Sequence, residues 1–208
     1  MPILGTRASS LQSLEKGSFE SIATTTLASD TSSISFTSVP GTYKHLQLRF
    51  MAKGNNAGDL EYLGFRLNGF TGDYYWHQIY GEGSGTPTGT YFQQSFMRCF
   101  ISGNNGANMF GVGITDILDY ADTNKFKTLK TFSGYDLNGS GMATVCSGLY
   151  SSTSAVTSVT VLGSLYPTSG ASDLSKDGGV NVSAAEVYAG CKPPSSVPLT
   201  RLPVLGVN

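Results

Sequence analysis

His45-Leu46-Gln47-Leu48-Arg49-Phe50-Met51-Ala52 sets Leu46, Leu48 and Phe50 against Gln47, Arg49 and Met51. That period of two is the signature of a β-strand, whose successive side chains point to opposite faces. Pro40-Gly41 forces a turn before it, because Pro presets φ and Gly accepts a positive one. Gly54-Asn55-Asn56-Ala57-Gly58 follows it and cannot pack a core. Working outward, the rhythm recurs. Residues 21–27 read as a Thr-rich strand, and 33–39 alternate Ile34 and Phe36 with Ser33, Ser35 and Thr37. Residues 61–67 hold Leu63, Phe65 and Leu67 in phase. Asn68-Gly69 then predicts a hairpin, since a type I′ turn needs positive φ twice, and 74–80 is the aromatic return strand. After a flexible loop over 81–89 the pattern predicts strands at 91–101, 109–117, 126–135, 142–150, 156–162 and 180–189. Turns are expected at 103–106, Asn138-Gly139, 151–154 and 176–179. No stretch carries a helical period. About ten short strands predict an all-β, jelly-roll-like antiparallel β-sandwich.

Charged residues make up only 13% of the 208, about half the ordinary share, and 13 basic against 14 acidic side chains leave a net charge of −1. No field of either sign draws in a polyanion, which argues against a nucleic-acid partner. With no apolar run of about 18 residues, a membrane helix is not expected. The opening Met1-Pro2-Ile3-Leu4-Gly5 lacks the basic and apolar segments of a secretory leader. Cys99, Cys146 and Cys191 are odd in number and form no Cys-x-x-Cys pair. They read as small buried hydrophobes of a chain kept in a reducing cytosol. The expected organisation is an N-terminal arm or short helix over residues 1–18, one β-domain over 19–191, and an extended arm over 192–208.

That arm holds Pro193, Pro194, Pro198 and Pro203, which keep the backbone extended and out of a central strand. Val197, Leu199, Leu202, Val204 and Leu205 are interleaved with them, beside Arg201. A solvated tail has little use for so many aliphatic groups, so the arm is expected to lie along a neighbouring subunit rather than fold back on its own domain.

Catalytic patterns are poor. His45 opens a strand and His77 lies within Tyr74-Tyr75-Trp76-His77; neither belongs to a nucleophile elbow or a zinc-protease helix. Gly81-Glu82-Gly83-Ser84-Gly85 lacks the Lys-Ser/Thr ending of a phosphate loop. No catalytic, cofactor-binding or metal-binding residue is therefore assigned. The acidic loop with Asp116, Asp119, Asp122 and Asn124 is oxygen-rich but lacks the order of an EF-hand, and it leaves an ion as an open question. Lys125, Lys127 and Lys130 follow it and are expected to pair with it. Tyr74, Tyr75, Trp76 and Tyr80, with Tyr91 and Phe92, form an aromatic set that suits sugar stacking or a protein interface, and a shared role in core and interface is the preferred reading.

Several segments resemble one family. Phe36-Thr37-Ser38-Val39-Pro40-Gly41-Thr42-Tyr43-Lys44-His45-Leu46-Gln47-Leu48-Arg49 is similar to a run common in tailed-bacteriophage virion proteins. So are Phe65-Arg66-Leu67-Asn68-Gly69-Phe70-Thr71-Gly72-Asp73-Tyr74 and the stretch from Gly111 to Lys125. Ser147-Gly148-Leu149-Tyr150-Ser151-Ser152-Thr153-Ser154-Ala155-Val156-Thr157 and the openings at Met1 and Phe19 also resemble it. Phe70 stands where the family usually has Asp and Asp73 where it has Asn. From about Leu165 onward the likeness ends. The resemblance implies a non-enzymatic virion protein, assembled in the host cytoplasm. It would be a capsid decoration (cement) protein or an attached fibre, with major capsid or tail proteins as partners; a closed assembly of its own copies, a trimer favoured, is expected because it would cover edge strands that otherwise invite open-ended pairing. No cofactor, nucleic acid or membrane is expected. The alternative is a receptor-binding tail adhesin using Tyr74, Tyr75, Trp76 and Tyr80 on a host-surface glycan.

Overall fold

A computed structural model describes residues 19–82, 88–103, 108–163 and 173–185. The arm over 192–208, the N-terminal segment 1–18 and Cys191 lie outside these described residues. Twelve strands follow one another: β1 (Glu20–Thr26), β2 (Ser33–Phe36), β3 (His45–Ala52), β4 (Leu60–Leu67), β5 (Tyr74–Gly81), β6 (Thr88–Gln94), β7 (Met97–Ser102), β8 (Gly111–Ile117), β9 (Lys127–Asp136), β10 (Gly141–Tyr150), β11 (Val159–Leu162) and β12 (Gly179–Ala185). They form an eight-stranded sheet, β1-β12-β3-β8-β9-β10-β5-β6, and a four-stranded sheet, β2-β11-β4-β7. All pairings are antiparallel. The protein is an all-β sandwich, as the alternation predicts.

The core lies between the sheets. Leu46, Leu48 and Phe50 of β3 face Leu63, Phe65 and Leu67 of β4, all buried, and the Phe50 and Phe65 rings meet across the layer at 5.8 Å. Strand alternation therefore puts the apolar side of β3 inward, leaving Arg49 and Met51 exposed. A second cluster closes one end, where Phe70 meets Tyr150 edge-on at 5.3 Å and Tyr74 lies 5.4 Å from Tyr150.

Two connections differ from the sequence expectation. The Asn68-Gly69 turn forms, with φ of 54° and 66°, yet it makes no hairpin: β4 pairs with β11 and β7, whereas β5 pairs with β10 and β6. The chain crosses from one sheet to the other there. Phe70 packs its half-buried ring beside Tyr74, and the Tyr74 hydroxyl accepts from the Leu67 N–H at 2.8 Å. The Asn68 side chain also donates to the Ala155 carbonyl at 2.8 Å and accepts from the Thr157 N–H at 2.8 Å, so it ties the turn to the segment before β11. Second, the single strand expected over 91–101 is two, β6 and β7, in different sheets. Between them Ser95 and Phe96 turn the chain, and the Arg66 Nε–H holds the Ser95 carbonyl at 3.1 Å.

Candidate protein-interaction face

Part of each strand in the middle of the large sheet reverses the sense of β3, although Ile117 of β8, Leu129 of β9 and Tyr150 of β10 are buried on the inner face. On β8 the outward side chains are Val112 and Ile114, and the inward positions are Gly113 and Thr115. On β9 Phe132 points out between buried Thr131 and Ser133. On β10 Val145 points out between buried Thr144 and Cys146.

The cause lies on the other side of the sheet. Strand β7 packs across β9, β10 and β8, with Met97, Cys99 and Ile101 fully buried between the layers. Space beneath it is short. A Cβ on Gly148 would lie 2.5 Å from the Met97 sulfur, and one on Gly113 would lie 2.2 Å from the Phe50 ring. Only small side chains fit there, so Gly and hydroxyl residues occupy the inner positions, and Thr115 and Thr131 satisfy each other at 2.9 Å.

The outward groups fall in register. Arg49, Ile114, Phe132, Val145, Ile79 and Thr88 are successive cross-strand partners on β3, β8, β9, β10, β5 and β6. At about 4.8 Å per strand the four apolar members span roughly 15 Å. Met51 and Val112 form the neighbouring row with Gly134 and Ala143. On the opposite flank runs a polar row, Gln47, Asp116, Lys130, Ser147, His77 and Thr90. There Gln47 donates to Asp116 at 2.7 Å and accepts from the Arg49 Nε–H at 2.7 Å. Phe132 is 60% exposed, Val112 57% and Ile79 54%. Six of the seven exposed large hydrophobics among the described residues share this face; Phe126, just before β9, is the seventh.

The structure places two members of the aromatic set in the core and so corrects only their exposure. Tyr74 and Trp76 are buried, because β5 turns both inward, while Tyr75 and Tyr80 are half-buried and Tyr80 packs edge-on against Phe100 at 5.4 Å. His77 and Ile79, the alternate residues, hold the outer face instead. Nothing in the sequence distinguished the two sides of β5, since both carry aromatic or apolar groups.

In the acidic loop, a lysine ammonium sits where a cation would. Lys127 is fully buried, and its Nζ donates to the carbonyls of Asp122, Lys125 (2.9 Å) and Thr153 (3.1 Å). Lys125 pairs with Asp119 at 2.6 Å and Asp122 at 3.5 Å, while Asp116 points away onto the sheet face. Among the described residues no group of three His, Cys, Asp or Glu converges on a metal position. Burial pulls the Lys127 pKa below the usual lysine value, with Asp122 opposing. A cleft of about 450 Å³ beside this loop is lined by Tyr43, Lys44, Asp119, Asp122 and Asn124. The His45 Nδ1 accepts the Asp119 N–H at 3.3 Å, and burial followed by Lys44 lowers its pKa against the pull of Asp119. Cys99 and Cys146 are buried as expected, and burial pushes the Cys146 thiol up to about 12. The expected anchors Val197, Leu199, Arg201, Leu202, Val204 and Leu205 lie outside the described residues.

The fold and this face define a β-sandwich with an outward apolar stripe. No family model matches the chain, and no curated protein or solved structure matches it.

Proposed function

We propose that this chain is a non-enzymatic structural protein of a tailed-phage particle, a capsid decoration protein or an attached fibre. It works by adhesion to neighbouring virion subunits. The observation that carries the adhesive part is the apolar stripe across the large sheet, on a chain with few charges. The largest exposed apolar patch of a protein is often a functional contact surface. The phage part rests on the sequence resemblance over residues 1 to about 160.

Strand order supports the jelly-roll reading. Without the hairpins β5–β6 and β9–β10, the sheets reduce to β1-β12-β3-β8 and β2-β11-β4-β7. That is the interleaving of two Greek keys, an architecture frequent in capsid proteins but hosting many other functions. The adhesin reading loses its support, because Trp76 and Tyr74 are buried and offer no stacking face to a sugar.

The proline-rich segment over 192–208 serves as the second anchor, with Leu199, Leu202 and Leu205 as apolar contacts and Arg201 as a polar one. Purified particles carrying a labelled chain test the reading. The label should be found on the outside of finished particles, and removal of residues 192–208 should abolish attachment while leaving the soluble fold intact. Absence of the full chain from particles overturns the function; full incorporation of the truncated chain overturns the role of the arm.

A further inference from the structure

We infer that the outer face of the eight-stranded sheet is a self-association surface, on which a second copy of this chain packs the same face. The inference rests on the adhesive reading of the stripe and names its partner. It does not depend on the particle in which the protein is used.

Three observations select a second copy. The first is area. Met51, Ile79, Val112, Ile114, Phe132 and Val145 together expose roughly 500–600 Å². Two such faces bury about 1,000–1,200 Å², which reaches what a specific protein contact needs. The second is number. A ring of three or more needs two different complementary patches, whereas a two-fold contact needs a single self-complementary one. Among the described residues the exposed large hydrophobics gather on one sheet face, with Phe126 apart. The third is charge. Asp116 and Lys130 are cross-strand partners in the flanking row, so a copy of the face presents both signs along its rim, and exposed Arg49 at the end of the apolar row can face an Asp116 of the second copy.

Geometry favours the same arrangement. Apart from Met51, the stripe residues are β-branched or aromatic, and all stand on a regular antiparallel ladder. Two such faces interdigitate in the way the layers of a sandwich do, about 10 Å apart. Phe132 occupies the middle of the stripe, flanked by Ile114 on β8 and Val145 on β10, where interface energy concentrates.

The purified full-length chain, measured by light scattering and sedimentation across micromolar concentrations, should be a dimer or a higher even-numbered assembly. Phe132→Asp and, separately, Val145→Lys should raise the dissociation constant by about 100-fold or more. Both side chains are outside the core, so the monomers should keep a wild-type circular dichroism spectrum. Chain lacking 192–208 should still dimerise. A chain that is still monomeric at about 100 μM overturns the inference. So does a trimer, or an even assembly that folded Phe132→Asp and Val145→Lys leave unchanged. Loss of the dimer on removing 192–208, with both substitutions harmless, makes the arm the adhesive element and also overturns it. Particle incorporation separates the two proposals: a chain that is monomeric in solution yet present in particles removes only the dimer. A chain that dimerises through this face yet never enters particles removes only the virion role.

Discussion

Lys127→Met tests whether a buried ammonium organises the acidic loop. Met matches the length of the stem and removes the charge and all three donors. The Lys127 Nζ gathers carbonyls from residues 122, 125 and 153, joining the loop between β8 and β9 to the segment after β10. Hydrogen bonds from a charged donor contribute about 1.5–3 kcal/mol each, and a carbonyl left unpaired in the interior costs about 1–3 kcal/mol. Water can reach part of this site through the neighbouring cleft once the ammonium is gone, and desolvation of the charge opposes the gain. A net loss of about 3–5 kcal/mol is expected, below the sum of three charge-assisted hydrogen bonds. With a urea dependence of about 2–3 kcal/mol per molar, the midpoint should fall by roughly 1–2 M. Lys125→Met is the control, because its pairs with Asp119 and Asp122 are open to water; no measurable midpoint shift is expected from it. A Lys127→Met midpoint within about 0.3 M of wild type would falsify the cation-like role of this side chain.

His45 carries a pH prediction. Its folded pKa is lowered, chiefly by burial, so between that value and the ordinary one near 6.5 the unfolded chain binds more protons than the folded chain. Its contribution is fully present above about pH 6.5 and declines as pH falls through the window below. Urea midpoints at pH 7.5 and 5.5 should therefore differ less in His45→Asn, which retains an acceptor for the Asp119 N–H, than in wild type; equal pH slopes refute the assignment. Asn68→Ala combines a positive φ of 54° with the loss of contacts to Ala155, Thr157 and Ser158. It should lower stability by about 2–3 kcal/mol in the same assay, and a loss under about 0.5 kcal/mol speaks against its role in tying the turn to the segment before β11.

The antiparallel sandwich, the position of most strands and the turns at Asn68-Gly69 and Asn138-Gly139 were readable from residue order. Period-two alternation and positive-φ turn residues are local properties of the chain, and they survive whatever packs around them. His45 to Ala52 shows this best: its expected and observed bounds coincide, and its aliphatic side is the buried one. Local pattern could not say which sheet a strand joins. The Asn68-Gly69 turn has hairpin geometry in both readings, yet β5 leaves for the other sheet because Tyr74 and Phe70 find Tyr150 there.

Burial direction in β8, β9 and β10 was likewise a tertiary decision. Alternation separates two faces of a strand without naming the inner one, and the usual rule buries the larger apolar groups. Here Phe50 and Met97 already fill the space beneath the sheet, so Gly113, Gly148 and the small hydroxyl residues lie inside. Val112, Ile114, Phe132 and Val145 are left outside. Sequence alone thus determined that these strands alternate, and the close approach of β7 determined that Val112, Ile114, Phe132 and Val145 meet the surroundings while Ile117, Leu129 and Tyr150 stay inside.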